Sequence, residues 1–469
     1  MATPSADAAA QGAPESPAAA PRATRLGDRP LNQAIWALAG PALVELSLIT
    51  LVQLVSLMMV GRLGPAAIDA VGLTNQPVFF AQSIFVALDV GTTALVAHAI
   101  GAGDPRTANE AAKQTFVLNV SMGIIVSLVC YVLARPALVF MGASPDTMVQ
   151  AIPYFRAVGA SLAFNTLALS LTAILRGAGD TRTPMRINIV ANFVLVAVGF
   201  PLIYGLWGLP HLGVLGAGYG TVAAYLTACA LALRAVFSGR CPVRVSFRDG
   251  YRFHADLVRR IVRVGLPAAG EQAVMRGGVV LFLRVVAGLG TVTFAAHQIA
   301  LNVWSLSYTP GQAFSIAATT LVGQNLGAGR PDLAEKAGRA TNRIAAVMAI
   351  ATGIFFILAR RWIFGLYSGD PQVATEGEVA MIILGLLQPL QSVQFAYAGG
   401  LRGAGDTRFP LLSTFLGVWP FRLGLGYLFV SGLGMGLFGA WLAIAADQTC
   451  RSLLILLRWR SGRWKLTSV

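Results

Sequence analysis

Apolar residues in this chain come in long runs rather than in the short-period patterns of a soluble domain. Twelve runs approach the ~20 residues that a helix needs to cross a bilayer. They lie at approximately 34–60, 73–100, 115–141, 149–175, 187–209, 212–237, 261–287, 293–323, 341–364, 379–401, 409–430 and 435–457. Because a helix satisfies its own backbone groups in hydrocarbon, the pattern predicts an all-α integral membrane protein with twelve transmembrane helices.

Two phrases of the sequence each recur 226 residues further along the chain, and we call this constant separation the repeat offset. LRGAGDTRTP at 175–184 returns as LRGAGDTRFP at 401–410, and LVAHAIGAGDP from Leu95 returns as LVGQNLGAGRP from Leu321. The repeat predicts two pseudo-symmetric lobes of six helices in the same orientation, with the substrate path between them. The expected divisions are a disordered tail at 1–32, lobes at 33–237 and 261–459, a basic connection at 238–260 and a second tail at 460–469.

Composition and charge placement agree with a membrane location. Hydrophobic residues make up 56% of the chain and charged residues 12%, with a formal net charge of +15. Most Lys and Arg fall in the tails and in the loops after even-numbered helices. This asymmetry predicts that both termini are cytoplasmic, in a multi-pass protein of the cell inner membrane. The basic loops suit topology and anionic lipid better than nucleic acid, so we expect membrane lipid and no nucleic acid as a partner.

The repeated decapeptides are typical of turns that join two helices. Their glycines can end one helix, Asp180 or Thr181 can cap the next, and Pro184 fits its first turn. No GK[ST] follows, so a phosphate-binding loop is not indicated. We interpret the phrases as structural turns rather than as transport chemistry.

Carboxylates inside the predicted spans are the candidate ion-coupling groups, because intramembrane charge is costly and usually functional. Glu45 and Glu271 occupy equivalent places in the two lobes, each four residues after a proline. Asp89 lies in mid-span and is matched by Ser315, so it could alternate between a protonated and a charged form. The alternatives are that the glutamates lie at helix entrances, and that Asp89 pairs with an arginine or bonds to Thr92 or Thr93.

Other polar residues in the spans are more ambiguous. Arg276 could pair with Glu271, and Arg422 could pair with Asp447. The glutamines Gln388, Gln391 and Gln394 share one face of the tenth helix, where they would contact substrate or bond to neighbouring helices. No Cys/His group has metal-ligand spacing, so we expect no metal and no cofactor.

At the decapeptides, at GQNLGAGRPDLAEKAGR (323–339) and at FAAHQIALNV (294–303), the chain resembles the multidrug and toxic compound extrusion (MATE) family. The resemblance implies a V-shaped pair of lobes that exports cationic or amphipathic compounds in exchange for H⁺ or Na⁺. Asn188 and Asn192 match asparagines of the family's cation site. That site's aspartate is replaced by Ser56, which leaves the coupling ion undecided.

The sequence therefore predicts a secondary active multidrug efflux antiporter, not an enzyme, that works as a monomer and is driven by an ion gradient. Glu271, Asp89, Glu45, Asn188 and Asn192 are the candidate coupling residues. Gln272, beside Glu271, joins Gln388 and Gln391 as a candidate substrate contact. The main alternative is a lipid-linked oligosaccharide flippase or polysaccharide exporter of the same superfamily, which would favour arginines such as Arg276, Arg284 and Arg422 around its cavity.

Overall fold

A computed structural model describes residues 30–238, 243 and 251–467, and within these residues the chain is helical without a strand. The α-helices are α1 (Leu31–Gly61), α2 (Pro65–Gly101), α3 (Pro105–Val132), α4 (Ala134–Phe140), α5 (Pro145–Ala160), α6 (Leu162–Gly177), α7 (Arg182–Tyr204), α8 (Val214–Phe237), α9 (Ala255–Ala287), α10 (Thr291–Gly327), α11 (Pro331–Leu358), α12 (Arg360–Tyr367), α13 (Pro371–Gly403), α14 (Arg408–Leu416) and α15 (Gly436–Arg460). Two π-helical segments, Gly417–Leu425 and Leu428–Gly432, continue α14. Short 3₁₀ turns occur at Leu206–Gly208 and Arg463–Leu466.

Local sequence signals explain where these helices begin. Proline occupies the first position of α2, α3, α5, α11 and α13, where its fixed φ suits a helix and its missing N–H costs nothing. The side chains of Asp104, Ser144 and Asp370 accept backbone N–H bonds at the starts of α3, α5 and α13.

Within the described residues, nine helices are long and apolar enough to cross a membrane, or ten if the bent pair α5–α6 is one span. The helices α9 and α10 complete the set of twelve. They carry polar residues such as Glu271, Arg276 and His297, which are tolerated in a span when they face protein or a water-filled cleft. The predicted twelve-helix, two-lobe fold is confirmed.

Three predicted spans differ in detail from single straight helices. The run 115–141 divides between α3 and α4, and the run 149–175 bends by 42° between α5 and α6. The run 409–430 turns π-helical from Gly417, in a stretch that contains Pro420. Sequence hydropathy does not register these breaks, because it records burial in lipid rather than backbone hydrogen bonding.

Helices α1–α8 form the first lobe and α9–α15 form the second, and equivalent packing recurs in both. Thr93 in α2 donates to the Ala173 carbonyl of α6 at 3.2 Å, and the matched Thr319 in α10 donates to the Gly399 carbonyl of α13 at 2.9 Å. The hydroxyl of Thr181 likewise bonds to the Ala37 carbonyl. The first-lobe core includes Phe85, Leu171 and Ile174, and the second includes Trp304 and Trp441.

The predicted boundaries fall close to helix ends, with some differences. Helix α1 begins at Leu31, inside the predicted tail 1–32, and α9 begins at Ala255, inside the predicted connection 238–260. Residues 1–29, 239–242, 244–250 and 468–469 lie outside the described part. After α15, the 3₁₀ turn buries Trp464 against Trp459, with ring centroids 4.2 Å apart.

Candidate functional site

The first lobe holds a buried carboxylate on α1. Glu45 is 1% exposed, and its Oε1 accepts bonds from Arg176 Nη2 of α6 at 2.6 Å and from Asn188 Nδ2 of α7 at 2.8 Å. The other oxygen, Oε2, has no hydrogen-bond partner among the described residues. Three helices of one lobe therefore meet at this charge pair.

The second lobe repeats this arrangement on α9. Arg402 Nη2 of α13 donates to both oxygens of Glu271, at 2.8 and 2.9 Å. Thr414 of α14 donates to Glu271 Oε1 at 3.3 Å. Each of these residues lies one repeat offset after its first-lobe counterpart, so the sequence repeat extends to the contacts of a charged site.

The predicted pairing of Arg276 with Glu271 is wrong, because Arg402 occupies that role. Arg276 is exposed and lies over the ring of Phe79, 6.0 Å from its centroid, so it contacts α2 of the other lobe. Arg276 and Arg284 form no ion pair with another described residue. The true partners of the two glutamates, Arg176 and Arg402, were not predicted. Both lie inside the repeated decapeptides that we interpreted as turns.

Asp89 belongs to a third polar group, in the first lobe. Ser170 of α6 donates to Asp89 Oδ1 at 2.5 Å, and Asn119 Nδ2 donates to the same serine hydroxyl. Arg176 lies near enough to act electrostatically on Asp89 without forming an ion pair with it. The alternative interpretation, in which Thr92 or Thr93 bonds to the carboxylate, is wrong: Thr93 bonds to the Asp89 backbone carbonyl, and Thr92 shares a bond with Thr115.

The predicted residues therefore do not form one site. Asn188 joins Glu45, whereas Asn192 lies one turn further along α7 with its Nδ2 unpartnered among the described residues. Gln388 and Gln391 are 2% and 3% exposed, and they bond to Ser307 and to Trp304 inside the second lobe. Gln272 follows Glu271 on α9 and is partly exposed.

A separate buried charge cluster lies deeper in the second lobe. Arg422 pairs with Asp447 at 2.7 Å, as predicted, but Asp447 also binds Arg451, with Nε at 2.7 Å from Oδ1. All three residues are at most 3% exposed. The second arginine was not predicted, although its i,i+4 spacing from Asp447 is the usual signal for such a pair.

The lobes meet near the face where α1 begins and α15 ends, which we call the terminal face. His98 Nε2 of α2 lies 3.0 Å from the Gly403 carbonyl oxygen of α13, and Gln324 Nε2 of α10 donates to the Gly177 carbonyl of α6 at 3.1 Å. His98 and Gln324 are related by the repeat offset, and so are Gly177 and Gly403. The bonds are therefore reciprocal. In each of them, a side chain of one lobe bonds to the last residue of a helix in the other lobe, α13 or α6.

Glycine permits the close approach of the helices at this seam. A side chain on Gly101 would collide with the Gln324 backbone, and one on the matched Gly327 would collide with the His98 backbone. Thr320 adds a bond across the seam to the Arg176 carbonyl at 2.9 Å. Helix ends of the two lobes are therefore tightly joined on the terminal face.

Two repeated helical lobes of the same orientation that carry matched intramembrane charges are typical of a membrane transporter of the parallel-repeat type. The MatE family profile matches the chain twice, at residues 41–202 and 267–428, and the two segments are again related by the repeat offset. The chain belongs to the MatE family. This confirms the resemblance seen in the sequence.

Known relatives span nearly the whole chain. It is 30% identical to the probable multidrug resistance protein NorM of Thermotoga maritima, over 92% of this chain and 93% of the relative. It is 28% identical to the multidrug resistance protein MdtK of Edwardsiella ictaluri, over 91% and 95%. A MATE crystal structure in complex with MaD5 shares the fold with a TM-score of 0.87 at 23% identity, over 94% of this chain and 99% of that one. An outward-facing multidrug resistance MATE family transporter of the MOP superfamily gives 0.86 at 24% identity, over 95% and 98%.

Proposed function

We propose that this protein is a secondary active multidrug efflux antiporter that exports amphipathic or cationic small molecules in exchange for H⁺ or Na⁺. The relatives named for multidrug resistance support efflux of small molecules. The observation that carries the proposal is the reciprocal seam. It joins two lobes whose interiors hold ionisable groups, and in this proposal it closes one end of the path between them.

Alternating access follows from this arrangement. The lobes are joined by a few hydrogen bonds and by glycine-mediated packing on the terminal face, so a rigid-body rocking of one lobe against the other would break that set and open the path there. An ion can drive the change only by its different affinity for the two arrangements. The terminal face is the cytoplasmic one in this proposal, because the basic residues gather there.

Asp89 is the group that we propose for coupling. Glu45 and Glu271 are each bound by an arginine in an ion pair. Asp89 has no ion pair with another described residue, and it accepts a bond from a serine that can itself reorient. In this proposal Glu45, Asn188 and Asn192 form the polar environment on α1 and α7 in the first lobe. Glu271 has the corresponding place in the second lobe.

Substrate would bind between the lobes, in contact with Gln272. Gln388 and Gln391 are buried and bond to Ser307 and Trp304, so in this proposal they support the second lobe rather than contact substrate. One chain contains both lobes and the complete seam, so the proposed working unit is a monomer in the inner membrane.

Transport by purified protein in proteoliposomes tests this function. A lipophilic cation such as tetraphenylphosphonium should move against its gradient when a proton or a sodium gradient is imposed separately, and the effective gradient identifies the coupling ion. Protein-free vesicles and the Asp89→Asn variant are the controls. Failure of both gradients to move the cation, with protein that remains folded, would refute the proposal.

The second candidate is the flippase of lipid-linked oligosaccharides. Arg276 and Arg284, which are exposed and have no ion-pair partner among the described residues, favour it, because a diphosphate needs cationic partners. Arg422, which is 3% exposed and bound to Asp447, does not. Movement of a fluorescent diphosphate lipid across the same vesicles without an ion gradient would support this alternative.

A further inference from the structure

The buried cluster in the second lobe carries more positive than negative charge. Two guanidinium groups, Arg422 and Arg451, share one carboxylate, that of Asp447. The other buried acids among the described residues of this lobe, Glu271 and Asp406, are bound by Arg402 and Arg458. A net positive charge enclosed in protein carries a large desolvation penalty, so a further negative partner is expected.

Polar groups around the cluster are mostly donors that lack a partner. Arg422 Nε, Trp441 Nε1 and Gln391 Nε2 are buried without a hydrogen bond among the described residues. Both ring nitrogens of His297 are in the same state, and one of them bears a proton in any neutral tautomer. Buried donors are normally satisfied, so these groups together indicate an acceptor species.

These groups surround one pair of aromatic rings. Arg422 lies over Trp304, 5.5 Å from its ring centroid, and Trp304 lies 5.9 Å from Trp441. His297 packs on Trp441 at 5.8 Å, and Gln391 accepts a bond from Trp304. The unpartnered donors thus belong to one compact region rather than to scattered sites.

The backbone of α14 also makes room for the cluster. Gly417 begins the π-helical segment that carries Arg422, and a side chain on Gly417 would collide with Asp447 and Arg451. A π-helix adds one residue to a turn and is often found at functional positions. The segment therefore leaves space for the side chains of Asp447 and Arg451 from α15, and it carries Arg422, which pairs with Asp447.

We propose that this region binds a small inorganic anion of the size of chloride as a resident ligand of the second lobe. The anion would offset the excess guanidinium charge and accept bonds from the unpartnered donors. The equivalent first-lobe positions hold Val196, Thr221 and Tyr225 in place of Arg422, Asp447 and Arg451, so the site has no counterpart there. The inference does not depend on the transported substrate or on the coupling ion.

Anion-dependent stability tests the site in detergent-purified protein. The thermal unfolding midpoint is measured with sodium and ionic strength held constant while gluconate is replaced by chloride, bromide or iodide. We expect a saturable rise of a few degrees, as for a ligand that binds only the folded state. Iodide should also quench part of the tryptophan emission saturably, since Trp304 and Trp441 border the site.

Two variants with opposite charge changes separate a binding site from a self-contained ion triad. Arg422→Met leaves one arginine for one aspartate and should abolish the chloride response, whereas Asp447→Asn should enlarge it. Val196→Met, at the matched first-lobe position, should leave the response unchanged. If both cluster variants only lower the unfolding midpoint, and the unmodified protein behaves alike in gluconate and chloride, the triad is complete with water and the proposal fails.

Discussion

The two lobes share their backbone turns and one charge pair, but their interiors differ in chemistry. Glu45 with Arg176 and Glu271 with Arg402 correspond under the repeat offset. Beyond these pairs, the first lobe has Asp89 where the second has Ser315. The second lobe has the Arg422–Asp447–Arg451 cluster where the first has none of these charges.

The difference separates the parts that hold the fold from the parts that distinguish the lobes. Among these groups the first lobe has two carboxylates against one guanidinium, and the second has two carboxylates against three guanidiniums. With all of them ionised, the first lobe interior is negative and the second positive. Cation coupling is therefore better suited to the first lobe, and anion binding to the second.

The largest expected effect comes from removal of an arginine in the shared pair. Arg176→Met leaves Glu45 almost fully buried with Asn188 as its remaining partner, and loss of one member of a buried pair costs about 3–5 kcal/mol. Arg402→Met should cost less, because Glu271 is 9% exposed and keeps Thr414. Thermal unfolding in detergent measures both.

The double variant Glu45→Gln with Arg176→Met is the control, since it removes both charges and should recover most of the lost stability. Equal or greater destabilisation by Arg402→Met would show that the burial of the glutamate does not determine which pair contributes more to stability.

The next effect concerns the position where the lobes differ most simply. Asp89→Asn keeps the bond from Ser170 possible but removes the titratable charge, so ion-driven transport should fall to the level of empty vesicles while folding is retained. Ser315→Ala, at the matched position, should transport nearly as well as the unmodified protein. Normal transport by Asp89→Asn would assign this aspartate to structure and make Glu271 the next candidate for the coupling group.

Much of this comparison could be predicted from the sequence, because the repeat offset and the apolar runs are properties of residue order. The equivalence of Glu45 and Glu271 followed directly. Their partners did not: Arg176 and Arg402 lie 131 residues further along the chain, and nothing local distinguishes an arginine in a turn phrase from one that reaches into a lobe. The seam was also hidden, since His98 and Gln324 differ in residue type and bond across lobes.

The reciprocal seam provides a smaller effect and a test of symmetry. His98→Ala and Gln324→Ala each remove one hydrogen bond, worth about 0.5–1.5 kcal/mol, and each should shift the protein toward an arrangement open at the terminal face. Spin labels at Ala102→Cys and Ala328→Cys, matched turn positions on that face, report the shift as a larger population of long distances. Both labelling sites are introduced into a variant in which the native cysteines have been replaced, so that only the new cysteines carry a label.

The two alanine variants should act alike, and together they should add. Thr320→Ala is an asymmetric reference, because its bond to Arg176 has no counterpart at Ala94. A seam that opens with only one of the two variants would mean that the lobes contribute unequally, despite their matched geometry.

The smallest effect lies at the starts of α3 and α11, outside the spans, where the lobes differ by one cap. Asp104 accepts bonds from Thr107 at the start of α3, whereas its counterpart Arg330 does not cap α11. Asp104→Ala should cost about 0.5–2 kcal/mol, and Arg330→Asp should gain part of that amount, as seen in thermal unfolding. The bonds from Thr107 lower the pKa of Asp104, so the cap's contribution is complete above the ordinary aspartate pKa and is lost as pH falls through the lowered one. The Asp104→Ala deficit should therefore be constant from neutral to mildly acidic pH and shrink only under strongly acidic conditions. A deficit that varied near neutral pH would point to a different titrating group.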